Sequence, residues 1–153
     1  MLPKVHIILG AVFSILIWFL LPQIPLYCIV LIFLSSFLID FDHYMCAVLK
    51  NKSLSLPKAL QYYCAINKTE EREFKAGIKR KGNFHVFHTV EFHLLVLALG
   101  FISELFFFIF IGMTFHSLID IADMSFKGRL YRREFFFVNW LIKRLNKADK
   151  SLR

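Results

Sequence analysis

Four apolar segments can be drawn along this chain, at residues 5–21, 26–39, 86–99 and 102–121, and none holds any of its nineteen lysines and arginines. A soluble domain of this length intersperses polar residues along each element to clothe its surface. Here 58% of the 153 residues are hydrophobic, 19 of them Phe, and the polar residues are gathered in blocks. That segregation predicts an all-α, polytopic membrane protein with four transmembrane helices. The second and third stretches fall short of the about 20 residues a crossing needs. They reach that length only by continuing as helix through residues 40–43 and 84–88. A secretory signal peptide is the other reading of residues 1–22, but no small-residue cleavage site follows Leu21.

The basic residues also set the orientation. Lys4 precedes the first stretch, nine Lys or Arg lie in residues 50–81, and nine more in residues 127–153. The connections "PQIP" and "GFISE" contain none. By the positive-inside rule both termini and the central loop face the cytoplasm, in the cytoplasmic (inner) membrane. The expected organisation is a four-helix membrane domain at 1–125, with a basic loop at 50–82, followed by a basic amphipathic segment at 126–153. In that segment, "RREFFFVNWLIKRLNK" has the spacing of an interfacial helix, aromatic residues down and basic residues towards headgroups. A fifth span is excluded there, since only nine residues separate Arg133 from Lys143. The net charge of +8 implies attraction to membrane lipid with anionic headgroups. No nucleic acid is expected as a partner, because no nucleic-acid-binding motif accompanies the charge.

With that topology, the imidazoles and carboxylates of all four segments fall at one membrane face. His6 opens the first helix. Asp40, Asp42 and His43, in "LIDFDHY", close the second. His85 and His88 open the third, and His116, Asp120 and Asp123 close the fourth. His93 lies about one turn deeper. Ionisable groups within membrane segments are costly and mark function or pairing. Helical spacing puts His116 and Asp120 on one face at i and i+4, and Asp40 with His43 at i and i+3. It also aligns His85, His88 and Glu91. Imidazole nitrogens and carboxylate oxygens without a thiolate cluster suit zinc, manganese or iron in a catalytic site. A dry network of Asp–His salt bridges tying the helices together is the competing reading. Cys28, Cys46 and Cys64 form no C-x-x-C pair and are expected to pack inertly.

These residues resemble a family. "LIDFDHY" looks like the P-D-x-D-H signature of the YdjM-like inner-membrane metal-dependent hydrolases, with Ile39 in place of the Pro. "GMTFHSLID" is similar to their G-x-x-x-H-x-x-x-D segment, and His6 stands where they carry an early His. The family is grouped distantly with zinc phospholipase C and the P1-type nucleases, helical enzymes with a multinuclear zinc site. The resemblance runs from His6 to Asp123 and leaves out the basic tail and much of the central loop. The family's H-R-G-x-T-H-S before the third helix is absent; "HVFHTVEFH" stands there. His88 with His93 keeps the five-residue spacing of that motif. His85 with His88 instead resembles the F-H-x-x-H-T form of smaller membrane relatives. A regular helix turns His93 about 140° away from His88, which favours His85.

The expected function is metal-dependent hydrolysis of a phosphoester, a phospholipid or an isoprenoid phosphate, at the cytoplasmic membrane surface. His6, His43, His88, His116 and Asp120 are the first choice of ligands for a divalent metal, most simply zinc. Asp40, Asp42 and His85 come next. Asp42 or Glu91 is the candidate general base. Lys79, Arg80, Lys81, Arg129, Arg132 and Arg133 are candidates to hold the phosphate. A metal or proton transporter would need polar groups through the whole membrane, and the outer halves of the segments are nearly all apolar. A non-enzymatic scaffold remains the other alternative.

Overall fold

The computed structural model describes residues 3–152; residues 1, 2 and 153, which the expected domain bounds include, lie outside the described residues. Among the described residues the chain is all-helical. The apolar helices are α1 (Pro3–Leu20), α2 (Leu26–Leu38), α5 (Val90–Leu99) and α6 (Leu105–Phe126). Three further helices, α3 (Phe41–Asn51), α4 (Leu56–Lys75) and α7 (Phe137–Leu152), carry the charge. Two helical runs are long and apolar enough to cross a membrane: Leu26–Asn51, which joins α2 and α3, and Leu105–Phe126. The other two apolar helices are shorter. α5, with 10 residues, rises only about 15 Å.

α5 is shorter than expected because Thr89 stops it. Its backbone is extended (φ −86°, ψ 151°) and its hydroxyl accepts the Phe92 N–H, a helix N-cap. Residues 86–88 form a separate 3₁₀ turn. His85, His88 and Glu91 therefore do not share a helical face. A second interruption falls at Ile39 and Asp40, between α2 and α3. It is slight, since both residues keep right-handed helical dihedrals, and it falls just where the acidic cluster begins. The expected basic loop at 50–82 contains the end of α3 and the 20-residue α4.

α2 is the central helix, packed between α1 and α6, while α5 packs on α6. Small residues allow these approaches. A Cβ on Gly10 would meet the Ser36 hydroxyl. A Cβ on Gly112 would lie 2.2 Å from the Ile32 carbonyl oxygen. Close backbone contact through Gly and Ser is how helices associate where burial of apolar surface gives little drive. Both serines satisfy themselves along their own helix, Ser35 on the Leu31 carbonyl and Ser36 on the Phe33 carbonyl. Phe13 of α1 stacks on Phe115 of α6 at 3.8 Å. Ile39, Val96 and Met113 form a small buried core. The outside of the bundle stays apolar: Ile8, Ile15, Phe19, Leu94, Phe101 and Leu118 are all exposed.

Candidate metal centre

The close approach of α2 and α6 delivers the first site residue. His116, fully buried on α6, directs Nδ1 at the Ser36 carbonyl oxygen of α2, 2.8 Å away. A carbonyl only accepts, so Nδ1 carries a proton and Nε2 is the nitrogen turned to the cluster. His88, at the end of the 3₁₀ turn, is fixed in the same way. Its Nδ1 donates to Asp42 Oδ2 at 3.1 Å, and that oxygen also accepts the Phe87 N–H at 3.1 Å. The two inner nitrogens meet: His88 Nε2 and His116 Nε2 lie 3.3 Å apart. Asp40 Oδ1 completes a triangle, 3.4 Å from His88 Nε2 and 3.3 Å from His116 Nε2. Asp120, one turn beyond His116, brings Oδ2 to 3.6 Å from His116 Nε2 and 4.0 Å from His88 Nε2.

A gathering like this in a buried place needs a positive charge among its atoms, either a bound metal ion or a protonated imidazole. Donor atoms bound at 2.0–2.2 Å around a tetrahedral zinc sit about 3.3–3.6 Å from one another. The triangle of His88, His116 and Asp40 has that size, and Asp120 stands slightly wider at the fourth corner. An imidazole that donates its other nitrogen to a carboxylate or carbonyl is the ordinary arrangement of a metal-bound histidine. These buried His and Asp groups could therefore hold a metal ion.

The cluster extends on both sides. His6 of α1 sits behind Asp120, with Nε2 3.2 Å from Oδ1, and stacks on His116 with ring centroids 4.1 Å apart. On the other side, Asp42, His43 and His85 form a second group able to hold a metal. His85 Nδ1 lies 3.5 Å from Asp42 Oδ1, and the rings of His43 and His85 lie 3.7 Å apart. Asp40 Oδ1 joins the two groups, being also 3.4 Å from His43 Nε2. Asp40 and His43, with side chains 23% and 31% exposed, are the open edge of an otherwise buried cluster. Tyr63 of α4 supports that edge by donating its hydroxyl to the His43 carbonyl. Burial pushes the Tyr63 phenol up, so it stays a donor. Neither the Tyr63 bond nor the Ser36 carbonyl carries a sequence signal, since each depends on contacts far along the chain.

The interruption at Ile39 and Asp40 explains why both aspartates take part. Asp40 reaches the triangle from before α3, and Asp42 reaches His85 and His88 from its first turn. Asp42, expected as a general base, is committed to orienting two imidazoles. Glu91, the other expected base, lies elsewhere. Its carboxylate accepts the Phe137 and Val138 N–H groups at 2.9 and 3.2 Å and caps α7. His93 is also outside the cluster, with Nδ1 on the Thr89 carbonyl and Nε2 accepting from the Ser117 hydroxyl. Asp123 pairs with Lys127 at the end of α6.

Of the arginines expected to hold a phosphate, Arg80, Arg129 and Arg132 are engaged outside the cluster. Arg80 pairs with Glu73 at 3.0 Å, and Arg132 pairs with Glu73 and Glu70. The hydrogen bond from Arg132 holds the Glu73 carboxyl below its usual range. Arg129 lies over the Phe74 ring. Arg133, also among the expected residues, is the one that reaches in, with Nη2 3.0 Å from Asp120 Oδ2. The strap that presents it is hydrogen-bonded to the segment before α5. Gly82 N–H donates to the Arg132 carbonyl, Lys81 Nζ to the Arg133 carbonyl, and Val90 N–H to the Phe135 carbonyl.

Comparison of the chain with family models, curated proteins and solved structures finds no match. The reading of the site rests on its own geometry.

Proposed function

We propose that this chain is an integral membrane metalloenzyme that hydrolyses a phosphoester at the cytoplasmic face of the inner membrane. The observation that carries the metal is the triangle of His88 Nε2, His116 Nε2 and Asp40 Oδ1, with both Nδ1 protons already committed elsewhere. Zinc is the proposed ion, because the spacing suits tetrahedral coordination by nitrogen and oxygen. The membrane is supported by the two long apolar helices and the exposed apolar belt. In the full proposal α1, α2, α5 and α6 are four spans, and α7 lies in the interface. The one-sided basic residues put both termini inside. The likeness of "LIDFDHY" and "GMTFHSLID" to the YdjM-like hydrolases supports the reaction class.

When bound, the metal supplies a water whose pKa is lowered to about 7 and a Lewis acid for a phosphoryl oxygen. The chain does the rest. Asp42 and the Ser36 carbonyl hold His88 and His116 in the tautomers that leave Nε2 free to bind. His43, at the open edge beside Asp40, would add a further nitrogen to the ion's ligands. Arg133 lies against Asp120 and offers the guanidinium for a phosphate at the site. The bundle's apolar wall excludes bulk water from the opposite side.

Elemental analysis of the protein in mild detergent is the first test. We expect at least one tightly held zinc per chain, lost in His116→Ala and in Asp120→Ala. Turnover of short-chain phospholipids and isoprenoid phosphates in micelles should vanish with chelator and return with added zinc. A folded wild-type protein that takes up no metal after zinc or manganese supplementation would favour the salt-bridge scaffold. A metal-loaded protein inactive on that panel would remove the phosphoesterase while keeping the metal.

A further inference from the structure

The α3–α4 hairpin carries an apolar surface that its own fold does not use. Its two helices pack on each other, and the residue each buries is small, Ala47 on α3 and Ala59 on α4. The turn between them is tightly built. Lys52 takes a left-handed conformation (φ 49°), Tyr44 donates its hydroxyl to the Leu54 carbonyl, and Asn51 bonds the Lys58 carbonyl. The large side chains are left outside. Phe41, Met45 and Leu49 follow one another at i, i+4 and i+8 along one face of α3, and all are exposed. At and beyond the turn, Leu54, Leu56 and Leu60 are exposed as well, Leu54 by 77%.

The charges beside these side chains have one sign. Between Asp42 and Glu70 there is no carboxylate, and Lys50, Lys52 and Lys58 flank the leucines. α3 is also the continuation of α2 in the apolar run Leu26–Asn51. Exposed leucines interleaved with lysines, continuous with a membrane helix, match a layer that is apolar below and negative above. An acidic soluble partner would complement the lysines but not that continuity.

We propose that the α3–α4 hairpin is a lipid-docking element. Its apolar stripe enters the acyl boundary of the same leaflet, and its lysines rest among anionic headgroups. His43 heads α3 and Tyr63 of α4 is bonded to it, so docking sets the open edge of the metal cluster at headgroup level. The substrate of that cluster is then an amphiphile taken sideways from the leaflet. The inference rests on the membrane-spanning part of the proposed function and is independent of the hydrolysis.

The test is fluorescence quenching in vesicles with brominated acyl chains, of phosphatidylcholine with or without phosphatidylglycerol. The chain has two tryptophans, Trp18 and Trp140. Trp140→Phe leaves Trp18, exposed in the apolar belt, as a reporter of the span itself. Trp18→Phe with Trp140→Phe and Leu54→Trp reports the hairpin, and Leu49→Trp in the same background is the second reporter. We expect Trp18 to be quenched in both lipids. The hairpin tryptophans should be quenched and blue-shifted in the anionic vesicles. Both effects should shrink in phosphatidylcholine alone and in the Lys50→Gln, Lys52→Gln, Lys58→Gln variant. If Trp18 is quenched while both hairpin tryptophans are open to aqueous iodide, the docking proposal is overturned. Shielding from both iodide and bromine also overturns it, in favour of a second copy or another protein on the hairpin. An unquenched Trp18 would overturn the membrane reading itself.

Discussion

His88 and His116 are held from behind before they are asked to hold anything in front. Asp42 does this for His88, and the Ser36 carbonyl does it for His116. The two kinds of residue separate by experiment. His88→Ala should abolish metal binding. Asp42→Asn keeps the shape but loses the charge, and should weaken metal affinity by about 10–100-fold. Competition with a chromophoric chelator measures both, and equal loss in the two variants would make Asp42 a direct ligand. The spacing of His116 and Asp120 was legible, because i and i+4 share a helix face whatever the rest of the chain does. Asp42 was open to several roles, since its partners His85 and His88 lie more than forty residues away. The choice among neighbouring arginines was illegible for the same reason. Arg132 and Arg133 differ by one position, yet one meets Glu73 and the other Asp120.

At the scale of the helix, the four apolar segments follow from hydrophobicity alone, and their observed cores match the unbroken runs in the sequence. Their ends do not, because ends are set by local competition. Thr89 follows a histidine-rich stretch that has helical spacing, but its hydroxyl caps α5 and leaves His88 in a separate turn. The α2–α6 contact is the element on which the triangle depends. Gly112 faces Ser35 and the Ile32 carbonyl with no room for a methyl group. Gly112→Ala must push the helices apart, at a cost of about 1–3 kcal/mol. It should also lengthen the His116–Ser36 bond and free the imidazole to turn. We expect a lower melting temperature in detergent together with weaker zinc retention, although the glycine touches no ligand. A variant with wild-type melting and full zinc content would show that α2 and α6 have slack.

For the molecule as a whole, the proposal turns on whether the number of spans is even. Topology reporters inserted in residues 50–82 and fused at the C-terminal end should both read cytoplasmic. Opposite readings would make the number odd and leave half of the proposed ligands on the wrong face. The gathering of ionisable groups at one end of the bundle was readable from charge segregation, while the α3–α4 hairpin was hidden by the mixed composition of its loop. The strap over residues 129–138 adds a constraint in time. Ribosomes make a chain from its N-terminus, so every imidazole and carboxylate of the cluster exists before Arg133 does. A nascent chain halted after α6 would have the apolar bundle and the open triangle, but neither the guanidinium on Asp120 nor the backbone bonds that clasp residues 82–90. Completion of the centre is thereby tied to synthesis of the strap, and a product truncated before it is left with an unfinished one.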